Sequence, residues 1–296
     1  MQYLKPADGF LGLAGDEPAP KAAKLPTVVV VPFGLEATVS FGRGTGNGPA
    51  AIIEASHQVE LFDDELWCEP IKRFHLKTAK PFPIRKKIAA ALDQIAQVVD
   101  GVLDAGAFPL VLGGEHSLTA GAIRPFARRH RDMVLLHFDA HADLRDGYHG
   151  EPYSHAAALR RCLDDENLTL ISIGIRNISA GEVSFLDANR RRIDVYWARD
   201  RAQWDLGAIG KRLAGRPVYI TFDLDAFDSS LMPATGTPEP GGIFWDDAVR
   251  IIRMACAAAD VVGADITELA PAKPFHGCAF LAAKLAYKIL GYRFAA

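Results

Sequence analysis

Three short stretches of this 296-residue chain carry side chains suited to holding metal ions. His116 stands in Gly113-Gly-Glu-His-Ser117. Asp139, His141 and Asp143 stand in Phe138-Asp-Ala-His-Ala-Asp143, and Asp223 and Asp225 in Thr221-Phe-Asp-Leu-Asp225. Four carboxylates and two imidazoles brought together without a cation would pay heavily in desolvation and mutual repulsion. Gathered at one edge of a sheet, they would make a natural seat for two divalent ions. A carboxylate and imidazole set suits manganese, iron, cobalt, nickel or zinc, and its oxygen-rich balance favours manganese. In an extended segment, the i, i+2, i+4 spacing puts Asp139, His141 and Asp143 on one face. The same reasoning pairs Asp223 with Asp225 and turns Leu224 away. A lone D-x-D is ordinarily two solvated loop acids. Here each of three motifs follows a β-type run of its own, and that context carries the reading.

The elements that must position these residues are legible as apolar runs at residues 27–31, 108–112, 133–138, 168–173, 194–197, 217–222 and 260–264. They are nearly continuous rather than alternating, as parallel strands covered on both faces are. Helical spacing appears between them. Residues 84–106 repeat Ile88, Leu92, Ile95, Val98, Val99 and Val102, and residues 245–259 and 280–290 behave alike, with Asp246 and Asp247 in a first turn. The alternation predicts an α/β protein: a three-layer α/β/α arrangement around a mainly parallel sheet. No repeat or low-complexity linker interrupts it. The Pro/Gly-rich stretches 9–26, 41–49 and 228–242 read as ordered loops, and residues 1–296 as one catalytic domain. All three metal motifs follow strands at their carboxyl ends, where open parallel sheets bind ligands.

A formal net charge of −3 argues against a nucleic-acid partner bound by general electrostatics. Cys68, Cys162, Cys256 and Cys278 form no C-x-x-C pair, so neither a thiolate zinc site nor a disulfide framework is expected. The first residues lack the basic and apolar regions of a signal peptide, and no stretch has the apolar length to cross a bilayer. A cytoplasmic enzyme without a membrane partner is the expectation.

Taken together, these motifs resemble the ureohydrolases: arginase, agmatinase, formimidoylglutamase and the guanidinoalkanoate hydrolases. The resemblance runs from about Val28 to the C-terminus. It includes Gly42-Arg-Gly-Thr-Gly-Asn-Gly-Pro49, Thr235-Gly-Thr-Pro-Glu-Pro-Gly-Gly242 and Asp265-Ile-Thr-Glu268. Glu115 departs mildly from the family, where aspartate is commoner and is not a ligand. The resemblance implies an arginase-like fold, two Mn2+ per chain (with Ni2+, Co2+ or Zn2+ as alternatives) and a homo-oligomer, trimeric or hexameric. It implies that Asp139 and Asp223 bridge both metals. His116 and Asp143 would complete one shell, and His141 and Asp225 the other. Asp143 would also accept a hydrogen bond from a bridging hydroxide, Glu268 would bind the guanidinium, and His155 in Tyr153-Ser-His-Ala156 would be the catalytic histidine.

That chemistry has a physical logic. A guanidinium carbon is a poor electrophile, and two metals can hold a water as hydroxide near neutral pH. A carboxylate matches the planar cation and aligns it, while a histidine suits protonation of the leaving amine. The segment 144–154 lacks the Asn- and Ser-containing pattern with which arginase holds an α-amino acid. It looks like the agmatinase segment, including Arg145-Asp146 and Ser154-His155-Ala156. Agmatine, hydrolysed to putrescine and urea, is the expected substrate, with Asp146 or Glu151 as candidates to meet its far amine. Aminopropylagmatine, guanidinobutyrate and guanidinopropionate stay open; an acidic substrate would need a cation such as Arg145 or Arg176. A one-metal deacetylase-like enzyme fits six ligands less well, and a non-catalytic subunit of a mixed oligomer has no need of them. His137 reads as a satisfied core histidine facing away from Asp139, His149 as surface, and Arg190-Arg-Arg192 as a solvated turn. His57, His75, His130 and His276 carry no supporting pattern.

Overall fold

The structure is a computed structural model that describes residues 1–13 and 24–296. Part of the 9–26 loop expectation therefore lies outside the described residues. Strands β1 (Thr27–Phe33), β2 (His75–Thr78), β3 (Phe108–Gly113), β4 (Met133–Phe138), β5 (Leu168–Ile175), β6 (Ile193–Trp197), β7 (Pro217–Asp223) and β8 (Asp260–Thr267) form one sheet in the order β2-β1-β3-β8-β7-β4-β5-β6. Every pairing is parallel. The seven strands read from sequence are present. The eighth, β2, escaped because His75-Leu-Lys-Thr78 is a short, half-exposed edge segment without an apolar run.

Helices α1 (Gly48–Ser56), α2 (Ile88–Asp104), α3 (Thr119–Ala122), α4 (Arg124–Arg129), α5 (Ala158–Cys162), α6 (Ala180–Ala188), α7 (Leu206–Leu213), α8 (Trp245–Ala258) and α9 (His276–Phe294) flank the sheet. The continuous apolar runs now have their explanation. Val28, Val30, Val134, Leu136, Val218 and Ile220 face one core, shared with α1 and α7–α9. Val29, Val31, Met133, Leu135 and Tyr219 face the other, shared with α2–α6. Alternate residues of one strand thus feed two hydrophobic layers, which is the expected three-layer α/β/α fold. The predicted helix at 84–106 starts only at Ile88, and the one at 280–290 extends to 276–294.

On the α2–α6 side, near the carboxyl ends, the apolar pattern gives way to a polar row. The register places Ser172 of β5 beside His137 of β4, His137 beside Thr221 of β7, and Thr221 beside Asp265 of β8. These four residues are essentially buried and support what lies just beyond the strand ends. All four cysteines are free. Among the described residues, no helix is long and apolar enough to cross a membrane.

Candidate active site

Past the sheet edge, the chain turns rather than staying extended. Asp223 ends β7 and its Oδ1 accepts a bond from Asp225 N at 2.8 Å, opening a short 3-10 turn over Leu224–Ala226. Asp139 Oδ1 similarly accepts from His141 N at 2.6 Å, and Asp143 takes a left-handed backbone with φ 52°. The expectation of extended D-x-H-x-D and D-x-D ladders is corrected to this extent: tight turns, not pleat alternation, bring the acids together. A non-glycine residue at positive φ is strained, and Glu268 shares the feature at φ 66°. Both strained residues line the cavity described next.

The six predicted ligands converge. Three carboxylate oxygens surround His116 Nδ1: Asp139 Oδ2 at 3.0 Å, Asp143 Oδ2 at 3.0 Å and Asp223 Oδ2 at 3.6 Å. His141 Nδ1 lies 3.1 Å from Asp225 Oδ2 and 3.4 Å from Asp139 Oδ1. Asp139 therefore turns one oxygen to each group. One ring nitrogen carries a single proton and cannot neutralise three carboxylates, so the donor set suits cations. The electrostatics agree. Burial and the neighbouring Asp225 and Asp139 carboxylates push Asp223 well above the usual carboxylate range. Burial and Asp139 push Asp143 up to about 7. Burial opposes the His141 cation, yet Asp225 and Asp139 raise it to about 12. Protons hold the cluster together where divalent ions would replace them.

His137 corrects the sequence reading. Its position two residues before Asp139 puts both on the same side, and its Nε2 lies 2.9 Å from Asp139 Oδ2. The donor atoms of His116, His137 and Asp139 lie within 4.8 Å of one another, close enough to hold an ion. His137 is nonetheless engaged at both nitrogens, with Ser172 Oγ 3.0 Å from Nδ1, and is fully buried. Burial lowers its pKa despite Asp139. It is a satisfied core histidine, as read, and it orients Asp139 rather than turning away. His116 is held from behind in a related way: Thr221 Oγ1 lies 2.9 Å from its Nε2 and 2.7 Å from Asp265 Oδ1.

A cavity of about 200 Å³ is lined by His116, His141, Asp143, Asp223 and Asp225, together with His155 and Glu268. Asp139 lies buried beneath. Glu268 Oε1 accepts from His116 N at 2.7 Å, and burial, Glu115 and Asp225 push its carboxyl well above the usual range. Burial lowers His155, although Glu115 opposes this. The glycine-rich loops 42–49 and 235–242 meet at Gly42 N and Gly236 O, 3.1 Å apart. A Cβ on Gly42 would sit 2.8 Å from that oxygen, so this crossing requires glycine.

The residues suggested for the substrate's far end fare less well. Asp146 is bound by Arg161 at 2.7 Å and does not line the cavity. Glu151 spends its carboxylate on Tyr153 N and is also outside. Glu239, which sequence reasoning passed over, does line it, 2.7 Å from Asn177 Nδ2. Arg176 is not available to an acidic substrate. Its guanidinium donates to the carbonyls of Gly174, Asp225, Ala226, Phe227, Glu239 and Pro240. Arg145 does line the cavity, its Nε 4.0 Å from Glu182. His149 is exposed, as expected, whereas Arg192 is more than a solvated charge, bonding the carbonyls of Leu163 and Asp165.

Residues 26–291 match the model of the arginase family. The chain belongs to the arginase family. It is 36% identical over 274 residues to the N(1)-aminopropylagmatine ureohydrolase of Synechocystis, covering 90% of this chain and 88% of that one. To the agmatinase of Bacillus anthracis it is 36% identical over 255 residues, covering 82% and 83%. The crystal structure of the agmatine ureohydrolase of Thermoplasma volcanium superposes with a TM-score of 0.80 at 30% identity, covering 94% of this chain and 93% of that one. As an arginase-family protein with relatives of this kind, the chain is a hydrolase of guanidino compounds.

Proposed function

We propose that the chain hydrolyses agmatine to putrescine and urea, with two Mn2+ held by His116, Asp139, His141, Asp143, Asp223 and Asp225. The carrying observation is the convergence of six donor side chains, Glu268 and His155 around one cavity. Bound there, the two ions supply a water that is nucleophilic at neutral pH. Glu268 receives the guanidinium. Its raised pKa means that the carboxylate is destabilised until a cation arrives, and the planar pair aligns the reacting carbon. As the bond from carbon to the alkyl nitrogen breaks, that nitrogen needs a proton to leave as an amine. His155, whose pKa burial lowers, would take the proton that the attacking water gives up and pass it to that nitrogen. Glu239 meets the far ammonium of the substrate.

N(1)-aminopropylagmatine is the second reading. It rests on the Synechocystis relative, which covers 90% of this chain against 82% for the Bacillus anthracis agmatinase at the same identity. For an acidic guanidino acid Arg176 is spent on backbone carbonyls, which leaves Arg145 as the cavity cation of the two that could receive it. The proposal takes residues 1–296 as one catalytic unit that assembles as a trimer or hexamer and works in the cytoplasm. Urea release is to be measured from agmatine, N(1)-aminopropylagmatine, arginine, guanidinobutyrate and guanidinopropionate after loading with Mn2+ and, separately, Ni2+. Preference for agmatine is expected. Faster turnover of another guanidine would overturn the substrate, and no urea from any of them with two ions bound would overturn the reading of the site.

A further inference from the structure

Glu115 has no role in the chemistry above, yet it is fully buried, one residue before His116. Four donors converge on its two oxygens. Oε2 accepts from Ala37 N at 2.5 Å and Thr38 N at 2.6 Å. Oε1 accepts from Thr38 Oγ1 at 2.8 Å and Ser117 Oγ at 2.6 Å. Glu115 thereby clamps the loop after β1 onto the loop after β3. Backbone bonds from Gly114 N to Phe33 O and from Glu115 N to Leu35 O reinforce the crossing. A Cβ at Gly114 would lie 2.0 Å from Leu35 O, so the approach depends on glycine there.

The clamped loop carries Thr38 to His155. Thr38 Oγ1 lies 3.1 Å from His155 Nδ1 and accepts from His155 N at 3.0 Å. A hydroxyl has one proton, and this one points at Glu115 Oε1. Its oxygen can therefore only accept from the imidazole. A deprotonated Nδ1 would set its lone pair against those of Thr38 at 3.1 Å. Ser154 Oγ, 3.3 Å from Nδ1, could serve either tautomer and does not remove that conflict.

We propose that Glu115 and Thr38 are positioning residues that lock neutral His155 as its Nδ1–H tautomer, leaving Nε2 as the nitrogen that takes and delivers the proton in the cavity. The lock also fixes the ring, because the same hydroxyl holds both Nδ1 and the backbone of His155. It deepens the catalytic reading of His155 and rests on it.

The test is a double-mutant cycle on the Mn2+-loaded enzyme, read as kcat and KM for agmatine. Thr38→Val removes the hydroxyl at nearly constant volume, and Thr38→Ser restores it. His155→Ala supplies the background. General acid–base catalysis by a positioned group contributes roughly 10²–10⁴-fold, and losing the lock should forfeit about tenfold of this in kcat, with KM within about twofold. Thr38→Ser should recover turnover to within about threefold of the parent, and Thr38→Val should cost nothing further in the His155→Ala background. An equal loss in that background would make the loop merely structural and overturn the proposal, as would unchanged kcat in Thr38→Val. Wild-type turnover in His155→Ala alone would instead remove His155 from the mechanism, and the tautomer lock with it. Thr38→Ala completes the same cycle where valine impairs folding.

Discussion

Thr221→Val should weaken metal binding although Thr221 touches no proposed ion. Its hydroxyl stands between His116 Nε2 at 2.9 Å and Asp265 Oδ1 at 2.7 Å. Burial pushes the Asp265 carboxyl up, while His116 and the hydroxyls of Thr221, Tyr219 and Thr119 pull the other way. With Thr221 donating to Asp265, its oxygen accepts from His116 Nε2–H, which leaves Nδ1 to face the carboxylate cluster. Valine keeps the shape and strands two polar groups that are 1% and 0% exposed. Each stranded group costs about 1–3 kcal/mol, so the loss of folding stability should be about 2–6 kcal/mol. That is a large share of the roughly 5–15 kcal/mol that holds a domain together. Losing the partner that orients His116, a proposed ligand, should cost about 10–100-fold in metal affinity. Isothermal titration with Mn2+ reads the affinity, and thermal unfolding with and without Mn2+ reads both quantities. Because an ion bound only by the folded state raises the midpoint by mass action, the Mn2+-induced shift should shrink in the variant. Unchanged Mn2+ affinity in a less stable protein would refute the reasoning, leaving Thr221 a packing residue.

Asp139→Ala and Asp223→Ala should each lose metal and activity together; a variant that retained two ions per chain by elemental analysis would sink the shared-ligand assignment. Lowering the pH through about 7 should weaken Mn2+ binding, since Asp143, raised to about 7 by burial and Asp139, then holds a proton that the ion must displace. Calorimetry in buffers of different ionisation heat should find more protons released per Mn2+ at pH 6 than at pH 8, and pH-independent release would contradict the protonated cluster. Arg176→Met should lower stability by about 2–4 kcal/mol, because several carbonyls lose a charged donor, without opening the enzyme to guanidino acids. A gain of guanidinobutyrate turnover would show that Arg176 had gated specificity. Glu239→Gln should raise KM for agmatine more than it lowers kcat, whereas an unchanged KM would separate Glu239 from the far ammonium.

The fold was legible where burial on both faces writes an apolar run, which is why β1, β3–β8 and the helix around Ile88–Asp104 could be read directly. β2 could not, because an edge strand half open to solvent has no reason to be apolar. The six proposed ligands were legible because they are tightly spaced along the chain and carry polar, ionisable groups where the neighbouring strands are apolar. Their local geometry was not legible: neither the positive φ of Asp143 nor the Asp223 turn, closed by a local bond from Asp225 N, shows in a spacing read as extended strand. His137 failed for a narrower reason. The period of two along a strand puts it on the side of Asp139, so that signal was present and misapplied. Thr38 gave no signal at all, since its partners Glu115 and His155 are 77 and 117 residues away along the chain.

The polar row explains why such a site is anchored within the sheet and not only in loops. Ser172, His137, Thr221 and Asp265 occupy one level across β5, β4, β7 and β8. Interior parallel strands bury both faces, so unpartnered polar groups there are costly. Each member of this row has a partner, and two of them point outward, His137 to Asp139 and Thr221 to His116. The strand register fixes His137 and Thr221, and through these two contacts that placement is passed to the proposed ligands. A loop alone would let carboxylates that repel one another relax apart. Anchored by the row inside the sheet, Asp139 and His116 hold their places, and the crowding of Asp139, Asp143 and Asp223 around His116 stays in place for a cation to relieve. The same rigidity sets the position of Glu268: it leaves β8 three residues after Asp265, with its N bonded to Gly114 O at 2.8 Å. The proposed metal cluster, after β3, β4 and β7, and Glu268, after β8, thus share one sheet as their frame, which would align a guanidinium held by Glu268 with the cluster.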